Sequence, residues 1–246
     1  MSAPAVLAAP ADMATDVVEL RLRLEDVLRS LTDEQVAVPS PLPGWTRGHV
    51  LAHIAGVGSA VARQLEHARA GRLVEFYDGG MPGRDAAIEA VAGAPAADHA
   101  RSVLDAALRV ESAFAAMGAH QWDVVTGHRS RSALAVAHAW WRELAIHLTD
   151  LDLGVTSDVW SPVLREHLVA YLAPRVPAGT CLVLAPTDTA PTGHTQGWRV
   201  GSGAEVTVRG AGADLVAMLA GREPREPLVA ESAGVVAALP ELAPWP

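Results

Sequence analysis

The chain has 246 residues, half of them hydrophobic, which is enough for one large domain or two modest ones and excludes a disordered chain. The net charge is −9 and the 19 lysine-plus-arginine positions, all of them arginine, are scattered singly, so a nucleic-acid surface is not expected. Cys181 is the only cysteine, which excludes an intramolecular disulfide and a cysteine-rich zinc module.

In chain order, the stretch Ala5 to Ala9 is too short for a signal segment and lacks a basic lead-in. Val17, Leu20, Leu24, Val27 and Leu31 then recur at spacings of three and four, one apolar stripe on a helix. The Pro-rich break from Val38 to Gly44 follows, and Thr46 is placed to cap the next helix. That helix carries Val50, Ile54, Val57 and Val61 on one face. Tyr77 to Gly83 reads as a Gly/Pro loop. Val103, Ala107, Val110, Phe114 and Met117 mark a third helix. Leu134, Ala137, Trp141, Leu144, Leu148 and Leu151 mark a fourth. Four amphipathic helices joined by loops predict an antiparallel four-helix bundle.

The texture changes after Gly154. Ser161-Pro162 pairs a cap with a first-turn proline, and that helix should stop near Pro174. Short β-like runs follow at Cys181 to Ala185, Trp198 to Val200 and Glu205 to Val208, with a Thr/Pro/Gly loop from Pro186 to Gln196. Ala213 to Leu219 reads as a helix ended by Gly221. The expected fold class is therefore α+β: a four-helix bundle over residues 1–155 and a small α/β domain over 156–246. No internal repeat is evident by inspection. No run reaches the ~18 apolar residues needed to span a bilayer, so no membrane partner and a cytoplasmic location are expected. Cys181, inside an apolar run, reads as a buried strand residue rather than a nucleophile.

Chemistry concentrates at Glu143 and His147. Residues four apart stack on one helix face, so a carboxylate and an imidazole there can reach one ion. His53 supplies a third donor from the second helix. Two nitrogens and one oxygen leave a fourth tetrahedral position open, the pattern of catalytic zinc. Spacing alone leaves alternatives: most Glu-x-x-x-His pairs are solvated or paired with each other, and His49 and His53 form a second such pair.

The segment Leu42-Pro-Gly-Trp45-Thr46-Arg47-Gly-His49-Val-Leu-Ala-His53-Ile-Ala55 resembles the signature of the mycothiol-dependent maleylpyruvate isomerase family, which has a DinB-like N-terminal bundle. Trp141-Arg142-Glu143-Leu-Ala-Ile-His147-Leu-Thr-Asp150-Leu151 resembles its second motif. The stretch from Glu205 to Arg222 is similar to the strand–helix–Gly-Arg segment of its second domain, and the ending Leu242 to Pro246 fits as well. The resemblance implies zinc held by His53, Glu143 and His147, with His49 as a supporting or capping residue. It implies a low-molecular-weight thiol cosubstrate: mycothiol, with ergothioneine or glutathione as alternatives.

The implied reaction is cis–trans isomerisation of a maleylpyruvate-like small molecule. A thiolate adds to the double bond, the resulting single bond rotates, and the thiol is expelled. A thiol of pKa ~8.5 is mostly protonated at neutral pH, and zinc coordination deprotonates it. The substrate dianion and developing enolate call for arginines. Arg222 matches a functional arginine of the family and Arg84 is the second candidate; a role for Arg222 would put the active site at a domain interface. Leu148-Thr149 before Asp150, and the added bulk of Trp140-Trp141, depart from the family pattern. The alternative on the same scaffold is a thiol S-transferase. A regulatory zinc module is disfavoured by the lone cysteine. A monomer or small homo-oligomer is expected.

Overall fold

The computed structural model describes residues 10–188 and 197–245. They divide into two compact units, the chain passing from one to the other between Val155 and Thr156. Residues 189–196 of the predicted 186–196 loop, the stretch Ala5 to Ala9 and Pro246 of the C-terminal motif lie outside the described residues. Among the described residues, no helix is long and apolar enough to cross a membrane.

The first unit is helical: α1 (Pro10–Arg29), α2 (Asp33–Val36), α3 (Arg47–Arg69), α4 (Gly80–Val91), α5 (Ala96–Ala115) and α6 (Ala133–Asp150). The predicted stripes form its core. Val17, Leu20 and Leu24 of α1, Val50, Ile54, Val57 and Val61 of α3, and Val103, Ala107 and Val110 of α5 are buried. So are Ala137, Trp141, Leu144 and Leu148 of α6. Helices α1 and α3 each pack on both α5 and α6, which closes the four-helix bundle. The first stripe ends differently from the expectation. Leu28 is buried where Val27 is only half-buried, and Leu31 lies beyond the helix. Met117 likewise falls just past α5.

The expected Tyr77 to Gly83 loop is shorter than its composition implied, because α4 begins at Gly80. Gly79 precedes it in the left-handed conformation (φ 73°), which a glycine adopts without steric cost. Pro82 sits in the first turn, where its missing N–H has no intrahelical partner to lose. A second glycine matters for packing. A Cβ on Gly48, at the start of α3, would lie 1.9 Å from the carbonyl oxygen of Ala92, just past α4. Only glycine lets these two segments approach so closely.

The backbone does contain a repeat, contrary to the reading of the sequence. Helices α1 and α5 are both 20 residues long and begin 86 positions apart, at 10 and 96. At the same spacing, the Thr32 N–H donates to Gln35 Oε1 (3.0 Å) and the Gly118 N–H to Gln121 Oε1 (2.8 Å). The isolated bridge Pro39–Thr46 is matched by Val125–Ser132. Backbone bonds recur with it: Ser40 N to Trp45 O and Thr126 N to Arg131 O, both 2.8 Å. Thr46 and Ser132 then cap α3 and α6 through their hydroxyl oxygens. The halves share few identical residues, among them Val17 and Val103, Arg23 and Arg109, and Glu25 and Glu111. Divergent side chains hide the duplication; the caps and backbone bonds keep it.

The second unit holds α7 (Pro162–Leu172), β1 (Gly179–Pro186), β2 (Trp198–Gly201), β3 (Gly203–Gly210), α8 (Gly212–Leu219), β4 (Val229–Ser232) and β5 (Val235–Ala237). Ser161 caps α7 with Pro162 at its first turn. The sheet order is β2-β1-β3-β4-β5, with β1 and β3 parallel and the other pairs antiparallel. Every residue of α8 is buried, and the helix packs on β1 and β3. Cys181 is a buried free thiol on β1. Strands β4 and β5 were not anticipated. They are only four and three residues long and their valines face outward, so no alternating pattern marks them.

Candidate metal centre

The three predicted donors come together. Thr46 starts α3 with a capping box in which its backbone N–H donates to His49 Nδ1 (3.1 Å). That bond gives His49 the capping role rather than a place among the donors. One turn later, His53 turns its ring into the bundle and is buried. Ser132 starts α6, and Glu143 and His147 project from its facing side. His53 Nε2 lies 2.8 Å, and His147 Nε2 3.1 Å, from the same oxygen, Glu143 Oε2. One donor atom from each residue lies within 4.8 Å of the others. The two imidazoles meet edge to face at 4.5 Å and 87°.

The surroundings fix these rings. His147 Nδ1 pairs with Asp150 Oδ2 at 2.9 Å, and Asp150 is only 2% exposed. Arg84 Nη2 lies 3.0 Å from His53 Nδ1. A guanidinium can only donate, so His53 Nδ1 accepts, and Nε2 carries the proton that His53 gives to Glu143. Trp45 packs against His53 at 5.6 Å, and Arg84 stacks over the Trp45 ring at 5.7 Å. Arg84 also pairs with the exposed Asp85 at 2.7 Å.

These contacts pull the titrations apart. Burial opposes charge on His147, but hydrogen bonds to Asp150 and Glu143 outweigh it and raise its pKa to about 9. Burial likewise pushes the Glu143 carboxyl up, yet bonds from His147 and His53 hold it well below the usual carboxylate range. His53 is lowered, chiefly by burial. Glu143 is 36% exposed at its side chain, which opens the cluster to solvent.

Two imidazole nitrogens and a carboxylate oxygen form a donor set that suits zinc. Tetrahedral zinc with bonds of ~2.0–2.2 Å needs donor separations of about 3.3 Å. The observed 2.8 and 3.1 Å are short by a few tenths. Protons on His53 and His147 bridge these atoms, and a divalent cation would take their place with a small outward shift. Histidine ligands usually anchor the other ring nitrogen on a carboxylate, as His147 does on Asp150. The residues therefore fit the metal.

The other candidate, Arg222, lies in the second unit beyond α8. Its Nη1 donates to the Ala220 carbonyl (2.9 Å) and its guanidinium stacks over Trp245 at 5.6 Å, as does that of Arg175. Trp140 and Trp141 are fully buried core residues, and Trp141 donates to Asp16 at 2.6 Å. His99, His138 and His167 are buried, in keeping with packing roles, whereas His194 lies outside the described residues. Reading the sequence missed two participants. Asp150 was detectable as the i+3 neighbour of His147. Tyr77, on the loop before α4, lines a cavity with His53 and Arg84 and carried no periodic signal.

Fold and donor set together define a helical-bundle protein with a two-histidine, one-glutamate centre. The chain belongs to the family described as the mycothiol maleylpyruvate isomerase N-terminal domain, whose model matches residues 17–152. That span contains His53, Glu143 and His147. Among solved structures, the chain is similar to the crystal structure of the mycothiol-dependent maleylpyruvate isomerase. The TM-score is 0.80 at 20% identity, covering 97% of this chain and 98% of that one. A histidine-to-alanine mutant of that isomerase matches at a TM-score of 0.79, with the same identity and coverage. At such identity the likeness establishes a shared fold. No curated protein sequence matches the chain.

Proposed function

We propose that this protein is a zinc- and thiol-dependent cis–trans isomerase acting on maleylpyruvate or a closely related small molecule. The observation that carries the reading is the convergence of His53, Glu143 and His147 within 4.8 Å, in a chain belonging to this family. These three residues would hold the metal. When bound, zinc deprotonates a coordinated thiol at neutral pH and so makes it a nucleophile. Asp150 keeps the His147 ring oriented and its Nε2 directed at the centre. Trp45 and Arg84 fix the His53 ring from the other side. The exposed edge of Glu143 leaves a route for the thiol. Arg84, beside the centre, meets the negative charge that develops when the thiol adds to the conjugated double bond. Arg222 is assigned a second substrate-binding role on its family resemblance. Mycothiol is the thiol favoured by family membership, with ergothioneine and glutathione as substitutes. The protein would act in the cytoplasm as a monomer or small homo-oligomer, without nucleic acid.

The test is to load the purified protein with zinc, supply maleylpyruvate with each thiol in turn, and follow both the double-bond geometry by proton NMR and the product mass. Conversion to the trans isomer at unchanged mass supports the reading. A product heavier by one thiol makes the protein an S-transferase instead. No reaction with any thiol in zinc-loaded protein defeats both.

A further inference from the structure

A cavity of about 250 Å³ opens beside His53, between α3, α4 and the segment before α4. Its wall is mostly small and apolar, including Ala52, Ala55, Val57, Ala87 and Ile88. Against this lining stand Arg84 and Tyr77. The volume is below the ~300–1,000 Å³ of sites that enclose a drug-sized ligand, so it takes one small arm of a substrate. A cation and a phenol on the wall of an otherwise mostly apolar pocket suit a carboxylate carried on a short carbon chain.

The segment that carries Tyr77 is held in place. Gln64 on α3, only 1% exposed, donates to the backbone carbonyls of Val74 and Glu75, both at 3.0 Å. Arg63 binds Asp78 (2.6 Å) and the Glu75 carbonyl. Phe76 packs edge to face on Tyr77 at 4.7 Å. Burial raises the Tyr77 phenol to about 12, with Arg84 partly offsetting it. The hydroxyl therefore keeps its proton throughout the neutral range and is available as a donor.

We propose that this cavity receives a carboxylate-bearing arm of the electrophile, and that Tyr77 is a positioning residue that donates to that carboxylate beside Arg84. The inference rests on the isomerase reading for the identity of the electrophile. It applies equally if the product is a thiol adduct, because the pocket recognises the substrate before the thiol reacts. The same Arg84 side chain that meets His53 and Trp45 also lines this pocket.

The probe is maleate, a cis-dicarboxylate, titrated into the zinc-loaded full-length protein by calorimetry with no thiol present. Two variants are compared with wild type. Tyr77→Phe keeps the ring and removes the donor. Gly56→Leu adds bulk at the cavity wall, where a new Cβ meets nothing within 4 Å and helix propensity improves. The expected result is binding by wild type and a loss of about tenfold or more in each variant, with zinc content unchanged. In turnover assays, Tyr77→Phe should raise KM for the electrophile and leave KM for the thiol unaltered. No maleate binding by wild type overturns the proposal. So does equal binding by all three proteins, the pattern for maleate held on zinc alone. If maleate binding depends on Tyr77 but no thiol supports turnover, the pocket stands and the isomerase reading fails. If turnover occurs and both variants bind maleate normally, the reverse holds.

Discussion

The two halves of the helical bundle share a backbone plan and differ in what they do with it. In both, a capped turn and a bridged loop lead into a long helix, α3 or α6, at a constant spacing of 86 residues. At the positions of Glu143 and His147 in the second half, the first half has Val57 and Val61, both buried in the core. At the position of His53 in the first half, the second has Ala139. One repeat thus gives a single donor and spends its other facing positions on packing, whereas its counterpart gives two donors and a supporting acid. A symmetric scaffold brings the two helices face to face, and an asymmetric set of side chains makes the centre. The lesson is that backbone duplication fixes where donors can stand, while single residues decide which ones do.

The largest expected effect tests that division directly. His147→Ala should reduce zinc from about one per chain to almost none, because two donors hold a metal poorly. Val61→Ala, its counterpart in the other half, should keep the zinc and cost about 1–3 kcal/mol in denaturant unfolding of the metal-free protein. Zinc loss in both, measured by elemental analysis, would break the comparison. A smaller effect is expected at Asp150. Asp150→Asn should weaken zinc binding by ~10–100-fold in a chelator competition, since it acts on His147 rather than on the metal. An unchanged affinity would remove the acid from the centre's support.

A third expected effect is on pH. His147 titrates near 9 in the folded, metal-free protein and near ~6.5 when unfolded. A raised folded pKa contributes stability that is fully present below ~6.5 and is lost as pH rises through about 9. Metal-free protein should therefore melt at progressively lower temperature across that window. Zinc must displace this proton, so its affinity should rise by about tenfold per pH unit up to 9. A flat affinity profile between pH 7 and 9 would mean that His147 carries no such proton.

Legibility followed burial and period. Helices α3, α5 and α6 were readable because long stretches place apolar residues every three or four positions against a core. Strand β1 was readable as a short apolar run around Cys181, and α8 as an apolar stretch closed by Gly221. Helix α4 was hidden because Gly79, Gly80, Pro82 and Gly83 read as loop residues. Their left-handed and first-turn positions make them a helix start instead. Strands β4 and β5 were hidden by outward-facing valines. The donors His53, Glu143 and His147 were nameable from helical spacing together with family motifs, but spacing alone left His49 an equal candidate.

By itself, the sequence determined the two-part organisation of helices followed by strands, the exclusion of disulfides, and the set of side chains able to bind a metal. These follow from local period, composition and residue chemistry, which need no knowledge of distant neighbours. Only the tertiary structure decided that His53 meets Glu143 across 90 residues of chain while His49 caps its own helix. It alone set Tyr77 and Arg84 around one small cavity. Such choices depend on where helices cross and how closely a residue like Gly48 lets backbones approach, and the packing of the whole bundle fixes those distances.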